Sequence, residues 1–112
     1  MNDNLNLDLL KQDVEKEIKE KKLESIHYVL FDENKNLPCA FHLYQKNGKF
    51  YVDGRDDRSY VMGNTIEFIS FEDAKIAFLE RLEHFVKSNQ FKVKIGKKPY
   101  YSSPLWNNEK AD

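Results

Sequence analysis

The dipeptide Asn47-Gly48 constrains this chain more than any other feature. Both residues tolerate positive φ, as a two-residue hairpin turn demands, and apolar-polar alternation flanks them on either side. Such a turn fixes the register. Lys46 faces Lys49, Gln45 faces Phe50, Tyr44 faces Tyr51, Leu43 faces Val52 and His42 faces Asp53. Phe41, Leu43, Phe50 and Val52 then share the core side, and His42, Tyr44, Tyr51, Asp53 and Arg55 share the outward side. The facing lysines repel slightly, a small cost to this register.

Around the hairpin, Leu7, Leu10, Val14 and Ile18 recur at helical spacing and predict a first helix to about Lys22, with Asn4 or Asn6 as its cap. "IHYVLF", Ile26 to Phe31, reads as a strand, as do "CAFHLYQ" (Cys39 to Gln45) and "FYVDGR" (Phe50 to Arg55). "SYVMG" and "TIEFIS" read as two short strands joined by a turn at Gly63-Asn64. Ser70 with Asp73 resembles a capping box. It opens a second helix carrying Phe71, Ala74, Phe78, Leu82 and Phe85 and ending near Ser88-Asn89. "FKVKI" alternates as a final edge strand, its lysines guarding against edge-to-edge pairing. The expected fold is α+β in one domain over residues 1–112. It has a helix over 1–24, an antiparallel meander of about four strands over 25–70, a helix over 71–88, and a short strand with an ordered tail over 90–112.

Composition supports this size of fold. With 112 residues, 40% of them hydrophobic, the chain can bury a core without a metal or disulfide staple. Cys39 is the single cysteine, which fits a reducing compartment. No apolar run approaches the ~20 residues of a membrane span, and the acidic start "MNDNLNLDLL" lacks the basic opening of an export signal. A soluble, cytoplasmic protein with no membrane partner is expected. The net charge of −1 selects no partner.

The residues for catalysis do not assemble. His27, His42 and His84 fall in different elements without metal-ligand spacing, and Cys39 has no cysteine partner, so no metal is expected. Cys39 and His42 lie three apart on a strand and point to opposite faces. Asp56 and Asp57 are flanked by Arg55 and Arg58, which hold both carboxylates ionised and unsuited to general acid work. There is no glycine-rich phosphate loop. The expectation is a chain without catalytic residues or cofactor. Lys92, Lys94, Lys97 and Lys98, interleaved with aromatic residues, leave one alternative: a small nucleic-acid-binding or regulatory interaction module using this segment. A lysine-guarded edge explains the same residues more simply.

The stretch "GRDDRSYVMG" has two compatible readings. Local ion pairing and Asp capping can fix the turn, but exposed pairs contribute only about 0–1 kcal/mol. The functional reading joins Arg55, Asp56, Asp57 and Arg58 to Tyr44, Tyr51 and Asp53 as a partner-binding surface, since Tyr and Arg are enriched at interface anchors.

The segments "NGKFYVDGRDDRSYVMG", "FEDAKIAFLERL" and "KKPYYSSPLW", in this order, resemble the immunity protein 59 family of bacterial polymorphic toxin systems. The matching residues are Asp57, Arg58, Met62 and Gly63 in the loop, with Pro99, Tyr101, Leu105 and Trp106 in the tail. The resemblance implies a non-enzymatic inhibitor that binds a cognate secreted toxin, encoded by the adjacent gene, and protects the producing cell. The matched Tyr101 and Trp106, with Tyr100 beside them in the same segment, join the candidate partner-binding residues. The resemblance leaves open whether the tail residues touch toxin or, as Leu105 and Trp106 can, fold back onto the domain.

Overall fold

The hairpin forms in the register its turn demands. Asn47 and Gly48 both take positive φ (53° and 80°), and every pair from Lys46↔Lys49 to His42↔Asp53 is found. In the computed structural model, which describes residues 2–32, 35, 37–101 and 103–107, seven elements follow in order. They are α1 (Asn2–Glu20), β1 (Tyr28–Leu30), β2 (Phe41–Lys46), β3 (Lys49–Arg55), β4 (Val61–Phe68), α2 (Phe71–Lys94) and α3 (Pro104–Asn107). The α+β class is as expected, with one sheet in the order β1-β2-β3-β4.

Four details differ from the sequence reading, each for a physical reason. The sheet is mixed, not an antiparallel meander, because β1 runs parallel to β2. The 31–40 connection exceeds the two to five residues typical of hairpin loops and works as a short crossover. Asn4 and Asn6 fall within α1, which already includes Asn2, and not at its start. The turn at Gly63-Asn64 is instead a bulge within the continuous strand β4. Val52 pairs with Ile66 and Gly54 with Met62, so Gly63, Asn64 and Thr65 stand against Asp53 alone.

The fourth difference is the largest. "FKVKI" is not a strand: α2 continues through Lys94. Asn89 does not stop the helix, because its side chain is buried and donates Nδ2–H to Phe85 O at 2.8 Å. The stop comes at Gly96, at φ 82°. Lys97 N–H bonds Lys92 O and Gly96 N–H bonds Val93 O, the paired closure of a Schellman motif. Helix α1 ends the same way, with Lys22 at φ 60° and Leu23 N–H bonding Ile18 O. Leu23 and Ile18 are both core residues, the apolar contact that accompanies this motif.

Both helices contribute to a single core. Val14 and Ile18 of α1 and Phe78 and Leu82 of α2 meet Leu43, Phe50 and Val52 of the sheet, all buried. Ser70 caps α2, its Oγ accepting Asp73 N–H at 3.1 Å. Between the helices, buried Lys75 reaches Glu17 at 2.7 Å and Asp13 at 3.3 Å, with Glu72 at 3.5 Å. The hydrogen bond to Glu17 does most to hold this ammonium charged, well above the usual lysine range.

The tail folds back. Trp106 is 3% exposed and donates Nε1–H to Tyr101 O at 2.7 Å. Asn89 Oδ1 accepts Tyr100 N–H at 2.6 Å, and Gln90 donates Nε2–H to Leu105 O at 3.0 Å. One asparagine therefore serves both helix and tail. Replacing Asn89 by Ala leaves Tyr100 N–H without this acceptor, a loss of about 1–3 kcal/mol. We expect Tm to fall by roughly 5–15 °C and Trp106 fluorescence to shift red as the tail loosens. Thermal melts followed at both far-UV and tryptophan wavelengths check this.

Candidate partner-binding surface

The outward face of the hairpin holds a buried polar assembly. Asp53 is 0% exposed, and Arg55 grips it with Nε–H to Oδ1 at 2.7 Å and Nη2–H to Oδ2 at 3.1 Å. His42, facing Asp53 across the ladder, is also buried, with Nε2 at 3.4 Å from Leu37 O. Burial, followed by the Arg55 charge, lowers the His42 pKa below its ordinary 6.5. Tyr44 and Tyr51 stack with centroids 5.5 Å apart. Burial, then the Asp53 charge, raises the Tyr44 pKa. Every buried side-chain N or O among the described residues has a partner.

The charged loop divides into supports and contacts. Asp56 closes the turn on itself, its Oδ1 accepting Arg58 N–H at 2.8 Å and Tyr60 N–H at 3.0 Å. Those two amides, Tyr60 first, hold its carboxyl below the usual range. Ser59 takes φ 69° at the apex. Arg55 and Asp56 thus build the loop, while the side chains of Asp57 and Arg58 point to solvent.

The structure brings loop and tail together. Tyr100 is partly exposed, its hydroxyl lies 3.8 Å from Met62 Sδ, and its pKa is raised by burial first and then by Cys39, Asp57 and Asp56. Tyr60 is 67% exposed, and Val61 and Met62 are exposed beside it. A groove of about 700 Å³ lies between β4 and α2, lined by Phe41, Ile66, Ala77 and Phe85 together with Glu80, Arg81 and His84. On the opposite face of the sheet, Tyr44, Tyr51, Thr65 and Lys46 line a smaller hollow.

Among the expected contact residues, Tyr44, Tyr51, Asp57, Arg58 and Tyr100 lie at the surface or partly so. Asp53 and Trp106 are interior and serve as supports, because neither presents area to a partner. Tyr101 is half-buried, stacked on His27 at 4.4 Å, with its hydroxyl accepting His27 N–H. Sequence reasoning missed Tyr60, Val61 and Ile66. The signal was present in "YVMGNTIEF", an edge-strand sequence whose only charge is Glu67.

No group of three or more His, Cys, Asp or Glu among the described residues is placed to hold a metal ion. No helix among them is long and apolar enough to cross a membrane. A family model described as immunity protein 59 matches residues 7–107. The chain belongs to the immunity protein 59 family. The match takes in the hairpin, the charged loop, α2 and the tail through Trp106. No curated protein and no solved structure matches the chain.

The buried histidine gives this family member a pH signature. Its folded-state pKa is depressed, so protons favour the unfolded chain. The contribution is present above about pH 6.5 and is lost as pH falls through the lower folded value. Between pH 7 and 5.5, Tm should fall more steeply for the wild type than for His42→Gln. Parallel slopes in paired thermal melts would show that His42 does not titrate on unfolding.

Proposed function

We propose that this chain binds and neutralises a cognate secreted bacterial toxin in the cytoplasm of the producing cell, with no catalysis of its own. The toxin is expected from the adjacent gene. The observation that supports this most is the corner formed by Asp57, Arg58, Tyr60, Met62 and Tyr100, in a member of an immunity protein family. Exposed Tyr and Arg, set on a loop already closed by Asp56 and Arg55, lose little entropy on binding. Exposed apolar groups beside paired charges suit a protein surface better than a metabolite. A protective complex has to be long-lived, so its affinity lies chiefly in slow dissociation.

Tyr44 and Tyr51, on the opposite face of the sheet, extend the proposed surface. Tyr101 and Trp106 support it from beneath, holding Tyr100 in place. The Lys92–Lys98 segment no longer offers an edge strand to a nucleic acid, since its first part is the end of α2.

The test is calorimetric titration of the toxin domain encoded beside this gene. Arg58→Ala and Tyr60→Ala should each weaken binding roughly tenfold or more, about 1.4 kcal/mol, while far-UV circular dichroism stays unchanged. Full affinity in both folded variants would move the interface elsewhere. A neighbouring protein that is harmless to cells and unbound by this chain would defeat the proposal.

A further inference from the structure

The C-terminal end of α2 and the turn after it gather positive charge. Residues 84–107 hold Lys87, Lys92, Lys94, Lys97 and Lys98, and all 19 acidic residues of the chain lie outside that stretch. Other lysines are engaged: Lys21 pairs with Glu83, Lys49 with Glu67 and Lys75 with Glu17. Among the described residues, none of the lysines in 84–107 forms an ion pair. Lysines in the last turn of a helix offset its negative end, an effect that fades outside that turn. It accounts for Lys92 and Lys94, but not for Lys87 before them or for Lys97 and Lys98 beyond Gly96.

Apolar groups stand among these charges. Phe91 is 59% exposed and Ile95 48%. Ile95 N–H bonds Phe91 O, so the two side chains share one face a turn apart, and Lys87 and Lys94 fall on that face on either side of Phe91. The core does not require this pair, because Phe85, Asn89 and Val93 supply the inward side of this part of α2. Exposed apolar side chains ringed by lysine have the anatomy of an interface, since lysine is depleted from the centre of protein contacts and belongs to their polar rim. Lys97 and Lys98 carry that rim along the chain to Tyr100, at the exposed corner.

We propose that this end of α2 is a second contact region for the toxin, and that the toxin meets it with an acidic face. The inference rests on the functional reading above and adds to it the charge of the partner. A protein is the occupant that the observations favour. Aliphatic Ile95 offers no plane on which a base can stack, as a single-stranded nucleic acid requires, and the chain belongs to a family of immunity proteins. Opposite charge across a contact speeds encounter more than it deepens affinity. The lysines therefore act on the rate of capture, whereas Arg58, Tyr60 and Phe91 act on dissociation.

Stopped-flow association of the full chain with the toxin domain encoded beside its gene, across a salt series, is the test. Wild-type association should slow roughly tenfold or more between about 0.02 and 0.5 M salt, as steered encounters do. A variant combining Lys87→Gln, Lys94→Gln, Lys97→Gln and Lys98→Gln should associate roughly tenfold more slowly at low salt. It should meet the wild-type rate at high salt and keep the wild-type dissociation rate, with far-UV circular dichroism unchanged. Phe91→Ala should instead speed dissociation. Equal association rates for wild type and lysine variant throughout the series overturn the inference and leave the functional reading standing. A wild type that does not bind the toxin at all defeats both. Retention of the wild type but not the variant by a single-stranded oligonucleotide or by phosphatidylglycerol vesicles, with toxin kinetics unmoved, gives the lysines to that anionic partner and also overturns the inference.

Discussion

The ion pair between Asp53 and Arg55 sets the terms for everything around it. A carboxylate with no exposure is tolerable only when its oxygens are occupied, and Arg55 supplies two donors from the residue that begins the charged loop. Removing one partner of such a pair typically costs 3–5 kcal/mol, because the other charge is left buried and alone. The same carboxylate faces the Tyr44 side of the hairpin closely enough that, after burial, its charge raises the Tyr44 pKa, which places the Tyr44–Tyr51 stack beside the ion pair. A single buried charge thereby links the outward face of the hairpin to the exposed corner at Arg58 and Tyr60.

That corner is rigid from two directions. Asp56 locks the loop from inside through two backbone amides, and Asn89 locks the tail beneath Tyr100. Loop and tail are far apart in sequence, yet the Tyr100 hydroxyl meets the Met62 sulfur. Helix α2 packs across the sheet but leaves β4 exposed along most of its length, and this opens the groove. The polar interior is spent on positioning this exposed corner, in a member of an immunity protein family.

The central hairpin was legible in the sequence because Asn47-Gly48 admits one turn and period-two alternation admits one register. The capping of α2 by Ser70 was legible for a similar reason: its signal is local. Parallel pairing of β1 was not, since nothing in "IHYVLF" itself sets strand direction; only the length of the 31–40 connection hinted at it. "FKVKI" misled because alternation over five residues fits a strand and a helix end equally well. Gly96 was the better stop signal, and Asn89 turned inward for a tail contact that no local pattern encodes. Asp53 and Arg55 were read as surface because they alternate with the core side, and a crossover lying against His42 cannot be seen from period two.

Amide hydrogen exchange on the complex with the toxin domain encoded beside this gene tests the central claim most directly. The account predicts slowed exchange across residues 57–62 and at Tyr100, with α1 unchanged. Protection confined to α1, with free exchange throughout 57–62, would contradict it.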